Sequence, residues 1–271
     1  MGIITVSRGS FAGGRAIAEK LQQTLGYPSL SREQVLTQAA QEYGILESEL
    51  SKSLNEVPSF WQQASGKRLA YVKCVTAVLL DHASQGNLVY HGNVGHLLLS
   101  GVPHVLRVRV VADMEYRIRA AMAQVNLSRD AAIAHIRRVD EERSRWARLL
   151  YGVDWEDPTQ YHLTVNLGLV SAASACETIV RLAAMPEFVP TAEGQREYDD
   201  LRLSCRVWGS LARNPGTRSA SLRVQAKSGE VVISGSVPST QALELIPRVV
   251  SEVPGVQSIK VEAGMGTDWY W

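Results

Sequence analysis

The sequence has few lysines, cysteines and phenylalanines, and it has no strong excess of charge of either sign. Its 271 residues include 6 lysines, 3 cysteines and 3 phenylalanines, and 28 basic residues stand against 27 acidic ones, a net charge of +1. A chain this close to neutral does not bind nucleic acid through bulk charge, so we expect no nucleic-acid partner. The 45% of hydrophobic residues is typical of a soluble globular protein and argues against a disordered chain.

Long hydrophobic runs and paired cysteines are also missing. No segment approaches 18 uninterrupted apolar residues, so no transmembrane segment is predicted. Cys74, Cys176 and Cys205 lie far apart and are odd in number, which favours a reducing compartment over a disulfide framework. No signal-peptide pattern is present at the first residues, and no metal-ligand spacing links the histidines, cysteines and acids. These absences predict a cytoplasmic protein without a protein-built metal site.

Arginine, in contrast, is abundant. It makes up 22 of the 28 basic residues, and ten arginines fall between Arg107 and Arg148, a window with six acids and no lysine. Arginine grips phosphate and carboxylate groups with two parallel hydrogen bonds, whereas lysine acts as a point charge. The window is therefore a candidate for anion binding. In the alternative interpretation it is a solvated helix whose arginines pair with Asp130, Glu141 and Glu142 at helical spacing.

Strand and helix patterns alternate over the first two thirds of the chain. Strands are predicted at residues 3–7, 88–91, 104–111 and 161–166, and helices at 16–25, 34–43, 68–83 and 129–150. Strands separated by long helical segments need crossover connections and therefore form a parallel sheet. We expect residues 1–186 to form a three-layer α/β domain.

The last third of the chain has a different pattern. Two prolines and a glycine without periodicity mark residues 185–194 as a linker. A helix is predicted at 197–211, a hairpin at 221–234, a second helix at 240–253 and a last strand at 256–261. Residues 195–264 are therefore predicted to form a small α+β domain.

A glycine-rich turn lies between the first predicted strand and the first predicted helix. Gly9 and Gly14 have P-loop spacing, but Arg15 and Ala16 stand where that motif has lysine and a hydroxyl residue. Backbone N–H groups converge in such a turn, and the helix N-terminus adds positive potential, so the turn can bind phosphate. The candidate nucleotide-binding residues are Ser10, Gly13, Gly14, Arg15 and Ala16. A glycine turn selected only for tight packing is the alternative.

In order and spacing, these segments resemble the cytidylate kinase-like family of P-loop proteins. The resemblance rests on the blocks at residues 4–21, 25–45, 88–93, 105–119 and 154–166, and covers roughly residues 1–182. In that family Gly-Gly-Arg replaces the usual Gly-Lys, so Arg15 matches a family feature. The resemblance implies a P-loop kinase fold, ATP and Mg²⁺ as cofactors, and transfer of the γ-phosphoryl group to a nucleoside monophosphate.

The same resemblance implies roles for several residues. The predicted helix at 129–150 would be a mobile lid whose arginines close over the transferring phosphoryl group. The candidate catalytic residues are Arg15, Arg137, Arg138, Arg143 and Arg145. The candidate substrate-binding residues are Arg32, Asn93 and Arg117. Ser31 and Asn93 depart from the family pattern where the nucleoside monophosphate is expected to bind, and Ala16 lacks the hydroxyl that usually holds Mg²⁺.

Residues 195–263 resemble a BON domain, through the strand at Gly229–Val237 and the Gly255-Val256 pair before the last strand. Such domains are non-catalytic modules, associated with membranes or other hydrophobic ligands, so the resemblance implies a hydrophobic or protein ligand here. The module has no marked basic excess, which predicts weak attraction to anionic lipid. The terminal Trp269-Tyr270-Trp271 is a further candidate contact for a partner.

Three functional hypotheses remain open. The first is an ATP-dependent nucleoside monophosphate kinase that its BON-like module tethers or regulates. The second is a nucleotide sensor that has lost turnover, which Ala16, Ser31 and Asn93 favour. The third is a scaffold in which both domains serve assembly alone.

Overall fold

The computed structural model describes residues 2–55, 67–92 and 94–266. Asn93 and the terminal aromatic residues 269–271 therefore lie outside the described residues. The chain divides into two compact units. The first contains the described residues of 2–34 and 83–191, and the second those of 35–54, 67–82 and 192–266.

The described chain contains each predicted strand and helix, together with further elements that no pattern predicted. The strands are β1 (Ile3–Arg8), β2 (Ser29–Ser31), β3 (Leu88–Gly92), β4 (Val105–Val111), β5 (Leu163–Asn166), β6 (Ser221–Lys227), β7 (Glu230–Val237) and β8 (Ser258–Met265). The helices are α1 (Gly14–Leu25), α2 (Arg32–Tyr43), α3 (Glu47–Asn55), α4 (Lys67–Ala83), α5 (Gly95–Leu98), α6 (Met114–Val125), α7 (Arg129–Tyr151), α8 (Ala172–Ala183), α9 (Ala192–Arg213) and α10 (Thr240–Ser251).

Within the described residues, the first unit contains a parallel sheet of five strands in the order β2-β3-β1-β4-β5. Four of these strands begin and end within two residues of their predicted positions. The fifth, β2, has only three residues and no apolar pattern that predicts it. Helices α1 and α8 pack on the sheet through Ile17, Leu21 and Ile179, which share one buried cluster with Ile4 and Val108. The predicted parallel α/β architecture is confirmed.

Strand order places the carboxyl ends of β1, β3 and β4 side by side. The chain leaves β1 toward β2 on one side of the sheet, whereas it leaves β4, the neighbour of β1, toward β5 on the other side. A crevice opens at such a switch point, and it is the usual ligand site of an open parallel sheet. The glycine turn after β1 therefore begins in this crevice.

The second unit contains a smaller mixed sheet in the order β6-β7-β8. Strands β6 and β7 form the predicted antiparallel hairpin, and β8 returns parallel to β7 after α10. Its core is built from Trp208 and Leu211 of α9, Val231 and Ile233 of β7 and Ile246 of α10. The predicted α+β architecture of the C-terminal module is confirmed.

Helices α2 to α4, although they connect β2 to β3 in sequence, pack mainly within this second unit. Ala70 joins its hydrophobic core. The Tyr198 hydroxyl donates a hydrogen bond to the Leu80 carbonyl oxygen, and Asp81 forms ion pairs of 2.5 Å with Arg202 and 2.8 Å with Arg206. The two packing units therefore do not correspond to a simple division of the chain at the predicted linker, residues 185–194. The domain boundaries 1–186 and 195–264 remain a prediction.

No helix among the described residues is long and apolar enough to cross a membrane, as expected from the hydrophobic pattern.

Gly209 tests the packing between α9 and α2. A Cβ at this position would overlap the ring of Tyr43, which is buried and has little room to move. Alanine gains about 1 kcal/mol of helix propensity over glycine, but overpacking of this kind costs about 1–3 kcal/mol. We expect Gly209→Ala to lower the free energy of unfolding, measured by denaturant titration.

Gly264→Ala is the matched control in the same unit, because a Cβ there meets no atom of the described residues within 4 Å. It should change the free energy of unfolding by less than about 0.5 kcal/mol. Equal stability of the two variants would contradict the described contact between Gly209 and Tyr43.

Candidate functional site

The glycine turn has the backbone geometry of an anion-binding loop. Phe11 and Gly13 adopt left-handed conformations, with φ of 59° and 86°, and α1 begins at Gly14 directly afterwards. A Cβ at Gly14 would lie 2.7 Å from the Arg8 Cβ, so only glycine fits beneath that side chain. Among the described residues no side chain caps α1, which leaves its first N–H groups available to a ligand.

Arginine side chains surround this loop. The Arg117 Nε donates a 2.7 Å hydrogen bond to the Ser10 carbonyl oxygen, and Arg143 Nη1 donates one of 3.1 Å to the Arg8 carbonyl oxygen. Burial lowers the pKa of Arg8, and the positive charge of Arg32 lowers it further while Glu33 opposes both. Burial also lowers the pKa of Arg143 to about 10, so its guanidinium stays charged at neutral pH. The loop is therefore embedded in positive charge.

Asp140 of α7 is the acid that reaches this loop from the helix expected to be a lid. Its Oδ1 accepts hydrogen bonds from the Ser10 N–H at 3.3 Å and from the Ser10 hydroxyl at 3.2 Å. Its Oδ2 forms an ion pair with Arg117, and Arg143 Nη1 lies 3.9 Å from Oδ1. Helix α7 is thus fixed to the loop by a carboxylate.

An aromatic wall closes the opposite side of the loop. The Arg109 guanidinium lies 5.2 Å from the centre of the Trp155 ring and 5.8 Å from that of Tyr161, and it forms a 2.8 Å ion pair with Glu156. A small cavity of about 140 Å³ is left between the wall and the loop. The cavity is lined by Gly9, Ala12, Arg109, Val111, Ala112, Arg117, Asp140, Trp155 and Glu156.

The predicted lid arginines do not all reach the loop. Arg143 does, whereas Arg137 lies exposed on α7. Arg138 forms a 2.9 Å ion pair with Glu142, and Arg145 lies 3.8 Å from Glu141. Both pairs join residues four positions apart on α7, as expected for a solvated helix. They therefore agree with the alternative interpretation of the arginine window.

The other predicted residues lie around the loop in different settings. The Arg15 side chain is exposed and forms a 2.8 Å ion pair with Glu19 on α1, pointing along the helix surface. Arg32, at the end of β2, lies 3.3 Å from Glu33 and contributes to the positive charge at Arg8 and Arg143. Arg117 reaches the loop itself.

Arg8, Arg109 and Asp140 contribute to the site although sequence reasoning did not select them. Arg8 directly follows a buried strand and precedes the glycine turn, which was a usable signal. Arg109 lies within β4, and its sequence pattern indicates only an ordinary strand residue. Asp140 is one of several acidic residues on a charged helix. Nothing in their local patterns distinguishes these two.

The histidines near the strand ends, His91 and His96, are buried and have a structural role. His96 Nδ1 lies 2.9 Å from the Ser7 hydroxyl oxygen, and the centre of its ring lies 4.5 Å from that of Tyr161, with the two rings tilted by 47°. Burial lowers the pKa of His96 to about 3, with Arg107 and Arg109 adding to the effect. Burial also lowers the pKa of His91. A histidine that stays neutral near several arginines is unsuited to bind phosphate as a cation.

The residues present fit phosphate groups better than they fit a metal ion. The glycine loop, the start of α1 and the arginines supply donors for phosphate oxygens. Ala16 has only a methyl group where a P-loop hydroxyl ordinarily binds Mg²⁺, and the Ser10 hydroxyl is held by Asp140. Among the described residues, no three histidine, cysteine, aspartate or glutamate side chains come together as a metal site.

Comparisons with known proteins match both parts of the chain. The model of the cytidylate kinase-like family matches residues 3–168, and that of the BON domain matches residues 199–263. A curated protein named cytidylate kinase, from Ignicoccus hospitalis, is 24% identical over 184 residues, which cover 67% of this chain and 99% of that protein.

Solved structures resemble the first part of the chain. An uncharacterized protein from Eubacterium ventriosum is 16% identical with a TM-score of 0.52, over 68% of this chain and 98% of its own. Shikimate kinase from Bacteroides thetaiotaomicron is 11% identical with a TM-score of 0.43, over 68% and 99%. The first of these likenesses concerns the fold alone.

His96 makes a prediction for pH dependence. An unfolded histidine takes up a proton below a pH of about 6.5, whereas in the folded chain its pKa is about 3. Its contribution to stability is therefore fully present above pH 6.5 and is lost as the pH falls toward 3. We expect His96→Gln to reduce the slope of unfolding free energy against pH between 6.5 and 4.5, by up to about 1.4 kcal/mol per pH unit. Equal slopes for the two proteins would contradict a neutral, buried His96.

Proposed function

Because the chain belongs to the cytidylate kinase-like family, we propose that it transfers the γ-phosphoryl group of ATP to a nucleoside monophosphate, with CMP as the first candidate acceptor. The observation that carries the proposal is the glycine loop with its surrounding arginines at the carboxyl ends of β1, β3 and β4. Phosphoryl transfer needs positioning and charge neutralisation more than covalent help, and this site offers both.

In this proposal the loop holds the phosphates of ATP. The N–H groups of Gly14, Arg15 and Ala16 at the start of α1 face the nucleotide, and Gly13 keeps the loop tight. Arg15 leaves Glu19, an exposed ion pair worth little in water, and grips the β- or γ-phosphate. Arg143 neutralises charge on the transferring group from its buried position.

The remaining lid arginines act only if α7 turns or closes. Arg137, Arg138 and Arg145 lie on exposed faces, and the ion pairs of Arg138 and Arg145 are easily exchanged for a ligand. Closure of such a lid excludes water from the reacting phosphoryl group. Mg²⁺, when bound with ATP, would supply charge neutralisation across its phosphates, but no protein ligand for it is assigned.

The acceptor is proposed to bind where β2 and β3 end. Arg32 and Asn93 are the candidate contacts there, with Asn93 outside the described residues, whereas Arg117, which binds the Ser10 carbonyl oxygen, stays a candidate for the acceptor's phosphate from the side of the loop. Ser31 and Asn93 depart from the family pattern, so the preferred base is determined by comparing CMP, dCMP, UMP and AMP as acceptors. The BON domain is proposed to tether or regulate the kinase through a hydrophobic or protein ligand. Three buried cysteines without disulfides favour the cytoplasm as its compartment.

A nucleotide sensor without turnover is the second candidate. Ala16 favours it, because the residue that ordinarily fixes Mg²⁺ is missing, and so does the orientation of Arg15 away from the loop. Such a protein would bind ATP and pass the signal to its C-terminal module.

Turnover tests the leading proposal. ADP formation is measured with ATP·Mg²⁺ and each of CMP, dCMP, UMP and AMP, and ATP binding is measured by calorimetry. We expect turnover with at least one acceptor, roughly a hundredfold loss or more in Arg143→Ala, and no activity in Arg15→Ala, because each removes charge that stabilises the transition state. Arg181→Ala is the matched control, since Arg181 is exposed on α8 away from the candidate residues.

The outcomes separate the three hypotheses. Tight ATP binding without turnover would contradict the kinase and favour the sensor. A chain that binds no nucleotide would contradict both and leave the scaffold. Circular dichroism of each variant establishes that a lost activity is not lost folding.

A further inference from the structure

The carboxylate of Asp140 makes the contacts that a bound oxyanion would make. One of its oxygens accepts hydrogen bonds from both the N–H and the hydroxyl of Ser10, at 3.3 and 3.2 Å. The other forms an ion pair with Arg117, and Arg143 approaches to 3.9 Å. A peptide N–H of a glycine loop, a hydroxyl and two guanidinium groups are the donors with which proteins recognise phosphate oxygens.

If Asp140 served only to balance the charge of the nearby arginines, not all of its contacts would be explained. An acid that only balanced Arg117 and Arg143 would not need the backbone N–H of Ser10 or its hydroxyl. Asp140 engages the loop itself, from a helix 130 residues further along the chain. The contact therefore ties the position of α7 to the occupancy of the loop.

Positive charge also remains after Asp140 is counted. Arg143 has only 14% of its side chain exposed, and its Nε, like that of Arg8, has no hydrogen-bond partner among the described residues. Buried donors of this kind carry a cost until they are satisfied, so the cluster can accept a further or a stronger anion. A terminal phosphate carries more charge and more acceptor oxygens than one carboxylate.

We propose that Asp140 is a displaceable internal ligand of the glycine loop, which holds the place of a terminal phosphoryl group until a polyphosphate binds. This inference rests on the proposed function for its biological meaning, because ATP would be the natural competitor. Binding of phosphate at Ser10 and Arg117 displaces the Asp140 carboxylate, which frees α7 to turn and close its other arginines on the ligand while Arg143 stays at the loop. Empty and loaded states then differ in the position of this helix, which reports occupancy of the site.

The test compares Asp140→Asn with two controls. Asp140→Glu keeps a carboxylate charge on a side chain one methylene longer, and Glu141→Gln removes the neighbouring exposed charge, which lies 3.8 Å from Arg145 and does not touch the loop. Calorimetry measures the binding of inorganic tripolyphosphate and, separately, of ATP. Hydrogen–deuterium exchange without ligand measures the protection of the N–H groups of residues 9–16.

We expect Asp140→Asn to bind tripolyphosphate about tenfold more tightly than the wild type, because the internal competitor has lost its charge. The two control variants should stay within about twofold of the wild type. Without ligand, the loop N–H groups of Asp140→Asn should exchange faster. If Asp140→Asn is less stable, the rise of its melting temperature with tripolyphosphate gives the same affinity ratio.

Unchanged or weaker binding of tripolyphosphate by Asp140→Asn would overturn the inference and make Asp140 a positioning residue for Arg117. A tenfold gain for tripolyphosphate with no ATP binding in any protein would leave the internal ligand standing and contradict the proposed function. Equal ATP binding by wild type and Asp140→Asn, with unchanged loop exchange, would overturn the inference and leave the proposed function intact.

Discussion

The glycine loop after β1 is surrounded by largely buried arginines, and the structure at this edge of the sheet depends on how their positive charge is balanced. Removing a guanidinium from water costs several kcal/mol unless ion pairs and hydrogen bonds replace the lost hydration. Here the replacements are loop carbonyl oxygens and Asp140, which bind Arg117 and Arg143. The loop conformation, the arginines and the position of α7 are therefore set together by one electrostatic balance, and an anion that enters the site acts on all three.

The chain between β2 and β3 packs mainly within the second unit. Helices α2 to α4 connect β2 to β3 in sequence, yet Ala70, Leu80 and Asp81 are held by α9 and the core of the C-terminal module. Arg32, a candidate acceptor contact, is the first residue of α2 and so lies at the start of this connection.

Local patterns in the sequence predicted most of the secondary structure and the chemistry of the loop. A run of β-branched residues identified β1, because a strand buried on both faces is apolar along most of its length, and short apolar runs, rich in valine in β4, identified β3 and β4. The three-residue β2 was not predicted, because only its Leu30 is buried and the segment is too short to show a periodic pattern. Glycine spacing identified the loop because only glycine fits beneath Arg8 at Gly14.

The sequence by itself determined the parallel α/β fold, the α+β module and the glycine loop, since each follows from residues close together in the chain. Tertiary structure alone decided which charges meet. Arg143 reaches the loop whereas Arg138 pairs with Glu142, and helical spacing treats the two arginines alike. The contact of Asp140 with Ser10 joins residues 130 positions apart. Such contacts depend on how α7 packs over the sheet, and no local pattern contains that information.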